Sequence, residues 1–193
     1  MRLSSAAFCL AAGCVTLLAS PATAQQGTVT YKVLATSKTS TLEKELNEAA
    51  ESGYRFQQVM GGESAVGGKE TIAVMSREGA SKARYSYKLL AASKTSTMQK
   101  ELQEAADANF SYRDQTVFKS AFGGEEVVVI LERDTDAPVA AYDYRLLATT
   151  KTSTLEKELG EVGDGGYQIV GMTIGKTAMG GKELIAITRR PRR

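Results

Sequence analysis

The stretch that decides the fold of this chain is YKVLATSKTSTLEKEL, which runs from Tyr31 to Leu46. It returns almost unchanged at 87–102 and again at 144–159, with a spacing of 56 and then 57 residues. A repeat at a nearly fixed spacing of this size is typical of tandem structural units. The chain therefore contains three copies of one unit of roughly 50 residues.

The periodicity within each copy predicts a strand, a helix and two further strands. Val29, Tyr31, Val33 and Ala35 alternate with other residues, which indicates a strand. After a polar loop, leucines and alanines recur at helical spacing, which indicates a helix of about three turns. Two apolar runs around a Gly-Gly pair then predict a hairpin. The pairs are Gly67-Gly68, Gly123-Gly124 and Gly180-Gly181, and the predicted last strands are Thr71 to Met75, Val127 to Leu131 and Leu184 to Ile187.

Each copy is therefore predicted to be a three-stranded, mainly antiparallel sheet with one helix on a face, which places the chain in the α+β class. Both faces of the first strands carry apolar residues, although a single helix covers only one face of a sheet. We expect the uncovered faces to pack on one another and to give one pseudo-threefold body. The βαββ repeats are predicted at 27–78, 85–133 and 142–190, with a signal peptide at 1–24 and a basic tail at 191–193.

Both ends of each predicted helix carry residues that are typical of helix caps. A serine followed three residues later by Glu or Gln predicts a capping box at the start. A glycine or asparagine just after the helix predicts a left-handed residue at the end. The predicted capping pairs are Ser40–Glu43, Ser96–Gln99 and Ser153–Glu156, and the predicted left-handed residues are Gly53, Asn109 and Gly166.

The first 24 residues have the pattern of a secretory signal peptide. A basic start precedes an apolar run, and Ala22-Thr23-Ala24 has the small residues of a cleavage site. A lipoprotein anchored at Cys14 is the alternative, since Leu10–Cys14 resembles a lipoprotein cleavage box, but the apolar run continues beyond it. Cleavage after Ala24 would remove Cys9 and Cys14 and predicts an exported protein, periplasmic or secreted.

Several short segments together resemble a small bacterial family. Tyr31-Lys32-Val33 opens a strand, Leu42 to Asn47 lie in the helix, Gly53-Tyr54 follow it, and the last copy ends in Arg189-Arg190-Pro191. In this pattern the chain resembles the family catalogued as domain of unknown function 4177. The resemblance implies a βαββ fold and assigns no catalytic residue. The family usually has tryptophan after the glycine, where this chain has Tyr54, Phe110 and Tyr167.

The most strongly repeated element is the polar loop that enters each helix. A lysine stands there among hydroxyl residues, where the backbone amides and the helix dipole favour anions. The alternative is that the loop only caps the helix, for which one hydroxyl suffices. The second strands have diverged while these loops have not, which favours binding, but both interpretations stay open. The candidate anion- or partner-binding residues are Lys38, Thr39, Ser40, Lys94, Thr95, Ser96, Lys151, Thr152 and Ser153.

The composition argues against several classes of chemistry. The chain has no histidine, and its two cysteines lie in the predicted signal peptide. It therefore predicts no nucleophile–histidine catalysis, no zinc site of the usual kind and no cofactor. The formal net charge is +2 with acids and bases interleaved, which argues against nucleic-acid binding. No stretch after the leader is long and apolar enough to predict a transmembrane segment.

These observations predict a non-enzymatic binding or interaction module, whose partner is an unknown envelope protein or a polyanion. The alternative is a purely structural, envelope-associated protein. A hydrolase that uses carboxylates alone is a third and weaker hypothesis. The basic tail is expected to be solvated, or to contact anionic polymers of the cell surface.

Overall fold

A computed structural model describes residues 28–63, 69–92, 94–119, 125–139, 141–176 and 181–192. The first copy contains β1 (Val29–Thr36), α1 (Thr39–Glu51), β2 (Arg55–Glu63) and β3 (Lys69–Glu78). The second copy contains β4 (Tyr85–Ala92), α2 (Thr95–Asp107), β5 (Ser111–Lys119) and β6 (Glu125–Asp134). The third copy contains β7 (Tyr142–Thr149), α3 (Thr152–Asp164), β8 (Gln168–Lys176) and β9 (Lys182–Pro191).

The strands of each copy form one antiparallel sheet with the last strand in the centre. The strand orders are β1-β3-β2, β4-β6-β5 and β7-β9-β8. The two outer strands of a sheet run parallel to each other, because both are antiparallel to the central one. The helix crosses between them, which makes each copy a split β-α-β unit with an added hairpin. The predicted α+β fold of three βαββ copies is confirmed, and the predicted last strands form the centres of the sheets.

The predicted left-handed helix ends are confirmed. Gly53, Asn109 and Gly166 have φ angles of 82°, 66° and 79°. In the first copy the Gly53 N–H donates to the Ala50 carbonyl and the Tyr54 N–H donates to the Ala49 carbonyl. The same two bonds recur in the other copies, and together they form the Schellman motif that satisfies the last carbonyls of a helix.

The aromatic residue after each helix packs against an arginine of the central strand. The guanidinium carbon lies 4.8 Å from the ring centre for Arg77 and Tyr54, 4.9 Å for Arg133 and Phe110, and 4.7 Å for Arg190 and Tyr167. These are cation–π distances. In all three copies this contact holds the end of the helix against the central strand. It explains why an aromatic residue recurs after the helix and an arginine recurs on that strand.

The helices start earlier than the capping boxes predict, so the prediction of serine caps is wrong. Helix α1 begins at Thr39, and the N-cap position is held by Lys38 in an extended conformation without a side-chain cap. Lys94 and Lys151 hold the same position in the other copies. The predicted caps, Ser40, Ser96 and Ser153, therefore lie inside the first helical turn, where a serine hydroxyl no longer occupies the capping position.

In the first two copies, the residue that was expected to complete the capping box binds the next copy instead. The carboxylate of Glu43 accepts a hydrogen bond of 2.8 Å from the Leu89 N–H in β4. One turn later, the Asn47 side chain accepts from the Tyr87 N–H and donates to the Tyr87 carbonyl, both at 2.9 Å. Helix α1 thus closes the outer edge of β4, which would otherwise present unpaired backbone groups.

Helix α2 closes the edge of β7 in the same way. The Gln99 side chain accepts from the Leu146 N–H at 2.7 Å and donates to the Tyr144 carbonyl at 3.0 Å. The Gln103 side chain accepts from the Tyr144 N–H at 3.1 Å and donates to the Tyr142 carbonyl at 3.2 Å. The joint between copies is therefore built twice with equivalent residues.

Each of the first two helices lies between its own sheet and the sheet of the next copy. Leu42 and Leu46 of α1 are fully buried in one cluster with Phe56 of their own sheet and with Tyr87 and Ile130 of the second copy. The corresponding residues of α2 share a cluster with residues of the third copy. We call the side of a sheet that carries its own helix the helix-side face and the other side the bare face. The expectation that the uncovered faces pack on one another is wrong, because the bare faces of the second and third sheets are buried by the helix of the preceding copy.

The second strands of successive copies lie side by side and point in the same direction. A Cβ atom added at Gly61 in β2 would overlap the carbonyl oxygen of Val117, which is its own equivalent in β5. Nearby, the Val59 N–H donates to the Asp114 carboxylate at 3.0 Å. Because equivalent residues lie at one level, the copies are stacked in one orientation.

The stack runs in chain order and leaves the bare face of the first sheet open. Tyr31 in β1 is 66 % exposed, whereas its equivalents Tyr87 and Tyr144 are each 3 % exposed. Closure around a common axis would bury Tyr31 as well. Within the described residues, the three copies therefore form a row with two different ends rather than a ring closed around a common axis.

Some predicted features fall outside the described residues. These are the signal peptide at 1–24 with Cys9 and Cys14, the pairs Gly67-Gly68 and Gly123-Gly124, and Gly180. Among the helices of the described part, none is long and apolar enough to cross a membrane.

Candidate functional site

The three helix starts keep backbone donors available to an anion. The first N–H groups of a helix have no acceptor within the helix, and no side chain caps them in α1, α2 or α3. The first turns also contain no acidic residue. The lysines just before them, Lys38, Lys94 and Lys151, are exposed. Each start thus combines amide donors, a positive helix end and a mobile positive charge.

The hydroxyl residues of the candidate set lie in the same first turns. Ser40, Ser96, Ser153 and Thr152 are exposed, and Thr39 and Thr95 are half-buried. Lysine, threonine and serine of one copy are consecutive, so the fold keeps each set together. Successive sets are one copy apart along the row.

All three helix starts lie at the same end of their sheets. The first strand of each sheet ends opposite the beginning of the central strand, where Thr36 pairs with Thr71, Ala92 with Val127 and Thr149 with Leu184. The helix begins three residues after this strand end. Since the copies are stacked in one orientation, the three helix starts lie along one side of the row.

The middle helix start borders a small cavity. Lys94 and Thr95 line it together with Glu125 and Glu126, and its volume is about 20 Å³. This volume holds roughly one water molecule, so the cavity admits no larger ligand.

The basic tail is tied to the body of the protein at Arg192. Its guanidinium donates to Asp143 at 2.8 Å and to Asp107 at 2.9 Å. These hydrogen bonds lower the pKa of both carboxyl groups below the usual range. Arg192 therefore bridges the second and third copies while it stays exposed to solvent.

A buried charge cluster between the first two copies was not predicted. Glu132 is only 4 % exposed, and it accepts hydrogen bonds of 2.9 Å from both the Tyr87 hydroxyl and the Arg55 guanidinium. Burial, assisted by the charge of Glu132, raises the pKa of Tyr87 well above its ordinary value. The carboxylate is fully occupied by internal partners, so the cluster holds two copies together and offers no free acid or base.

This cluster could hardly be predicted from the repeats, because the position of Glu132 is occupied by Ser76 and Arg189 in the other copies. Of the cluster, only Tyr87 stood out in the sequence, because a tyrosine recurs at this position of the first strand in every copy. Within the described residues, no group of three or more Asp, Glu, His or Cys side chains could hold a metal ion.

Comparison of the chain with protein-family models, with curated proteins and with solved structures gives no match. The resemblance to domain of unknown function 4177 therefore stays a prediction.

Proposed function

We propose that this protein is an exported, non-enzymatic binding module that holds an anionic polymer of the cell envelope along its three helix starts. The observation that supports it is the recurrence, in all three copies, of a helix start that has no side-chain cap, no acid in its first turn and an exposed lysine. A cap-only role fits this observation poorly, because no hydroxyl of these loops caps its helix.

A single helix start is a weak site. A charge at an exposed helix end contributes about 0.3–1 kcal/mol, and salt screens it. Three such sites along one side of the row bind a long ligand together, because the second and third contacts become intramolecular. A polymer with regularly spaced phosphate or sulfate groups therefore suits the arrangement better than a small anion does.

Replacing Lys38, Lys94 and Lys151 together with alanine should weaken binding to inorganic polyphosphate at low salt by at least about tenfold. Titration calorimetry or fluorescence anisotropy at several salt concentrations measures this effect, and binding by the unaltered protein should weaken as salt rises.

A matched control is available on the same helices. Lys44, Lys100 and Lys157 form exposed pairs with glutamates one turn away, at 3.6, 3.6 and 3.7 Å. Their triple alanine variant loses the same charge while the helix starts stay unchanged. Equal loss of affinity in both triple variants would show that only net charge matters and would contradict the proposed site. A purely structural envelope protein would bind no polyphosphate in any form.

A further inference from the structure

The bare face of the first sheet is an apolar surface that no described residue covers. Tyr31 and Val33 of β1 and Met60 of β2 are all more than half exposed on it, and Ile72 and Val74 of β3 lie between them. In the second and third sheets the corresponding face is buried by the helix and the second strand of the preceding copy. Among the described residues, no copy precedes the first one.

The helix-side face of the third sheet is the complementary open surface. Ile169, Met172 and Ile174 of β8 are more than half exposed, and they lie beside α3. Their equivalents in the first copy include Phe56 and Val59, which are buried against the second copy. Leu159 of α3 is likewise only half-buried, whereas Leu46 and Leu102 are fully buried.

These two surfaces are the two halves of a joint that the chain already makes twice. We propose that molecules of this protein associate head to tail, with α3 and β8 of one molecule packed on the bare face of the first sheet of another. The partner molecule is recognised in the same way as neighbouring copies recognise each other within the chain. The apolar side of a helix packs on the apolar face of a sheet, and a helix side chain hydrogen-bonds to the open edge of a strand. The occupant is a second copy of this chain.

The helix residues of the third copy support a similar but weaker joint. Glu156 is exposed at the position of Glu43 and Gln99, where it can accept a hydrogen bond from the Val33 N–H of the other molecule. Gly160 replaces Asn47 and Gln103, so the second group of edge hydrogen bonds is missing. The association should therefore depend on concentration and be weaker than the joints inside the chain.

The two surfaces differ, so the contact is heterologous. A heterologous contact that does not close produces open rows of molecules rather than a symmetric dimer. Two double variants distinguish a head-to-tail contact from a symmetric one, because each places lysines on only one of the two surfaces. Tyr31→Lys with Val33→Lys blocks the sheet end, and Met172→Lys with Ile174→Lys blocks the helix end. All four side chains are exposed, so the fold of each molecule should remain, which circular dichroism and thermal melting verify.

Sedimentation velocity over a concentration series tests the proposal on the protein that starts at Gln25. The unaltered protein should form a ladder of increasing mass, each blocked variant alone should stay monomeric, and an equimolar mixture of the two should stop at the dimer. Val139→Lys, which changes an exposed apolar residue away from both surfaces, should behave like the unaltered protein. A protein that stays monomeric at all concentrations would overturn the proposal. So would dimers of one blocked variant alone, which would indicate a symmetric contact between identical faces.

Discussion

Replacing Leu46 or Leu102 with alanine should lower the free energy of unfolding by about 2–5 kcal/mol, the cost of truncating a fully buried leucine. Both side chains have 0 % exposure, because each lies between its own sheet and the sheet of the next copy. Alanine would leave a cavity at the joint as well as within the copy. Urea unfolding followed by circular dichroism measures the change.

Leu159 is the matched control, since it occupies the same position in the third helix but no copy follows it among the described residues. It is only half-buried, so Leu159→Ala should cost clearly less than the other two changes. The measurement is made at low protein concentration, where molecules are separate. Equal losses at all three positions would mean that the following copy contributes nothing to the burial of these leucines, and the shared-helix description would be wrong.

Gly61→Ala should also destabilise the protein strongly, by about 1–3 kcal/mol, which is the usual cost of overpacking. The added methyl group would meet the carbonyl oxygen of Val117 in the second copy. A backbone atom in the middle of a strand cannot rotate away as a side chain can. The two second strands would have to separate, and the adjacent bond from Val59 to Asp114 would be strained.

The neighbouring glycine provides the control for this change. A Cβ atom at Gly62 meets nothing within 4 Å, so Gly62→Ala should change stability by less than about 0.5 kcal/mol. Thermal melting of both variants gives the comparison. If Gly61→Ala is as harmless as Gly62→Ala, then β2 and β5 do not lie as close as described, and the parallel stacking of the copies has to be revised.

The fold of one copy could be predicted because its signals are local. The alternation of residues in the first strand, the helical spacing from Leu42 to Ala50 and the glycine at 53 each depend on neighbours within a few residues. Repetition of these signals three times also removed most ambiguity between helix and strand.

The joints between copies could not be predicted in the same way. Glu43 stands three residues after Ser40, so the pattern indicates a capping box, yet its carboxylate binds the backbone of Leu89. Nothing in the sequence of one copy states which strand edge lies opposite its helix. Gly160 stands at the position of Asn47 and Gln103 in the third helix. This difference was the one sign in the sequence that the third helix does not hydrogen-bond to the edge of a following strand.

The candidate binding residues were predicted as a set, but their role as caps was not predicted correctly. Hydroxyl residues before a helix are compatible with several starting positions, and tertiary contacts of Glu43 and Gln99 decide among them. The early start leaves the serines within the first turn and the lysines at the N-cap. Because no hydroxyl group then caps the helix, the first backbone amides remain available to an anion. This supports the proposed anion site over a role in capping alone.

Hydrogen exchange of individual backbone amides tests the row of copies most directly. The amides of Tyr87 and Leu89 donate to α1, and those of Tyr144 and Leu146 donate to α2, so all four should exchange slowly in dilute protein. The equivalent amides of Tyr31 and Val33 have no helix partner among the described residues and should exchange much faster. Equal protection of all six amides in the monomer would show that the third copy closes onto the first and would contradict the open row.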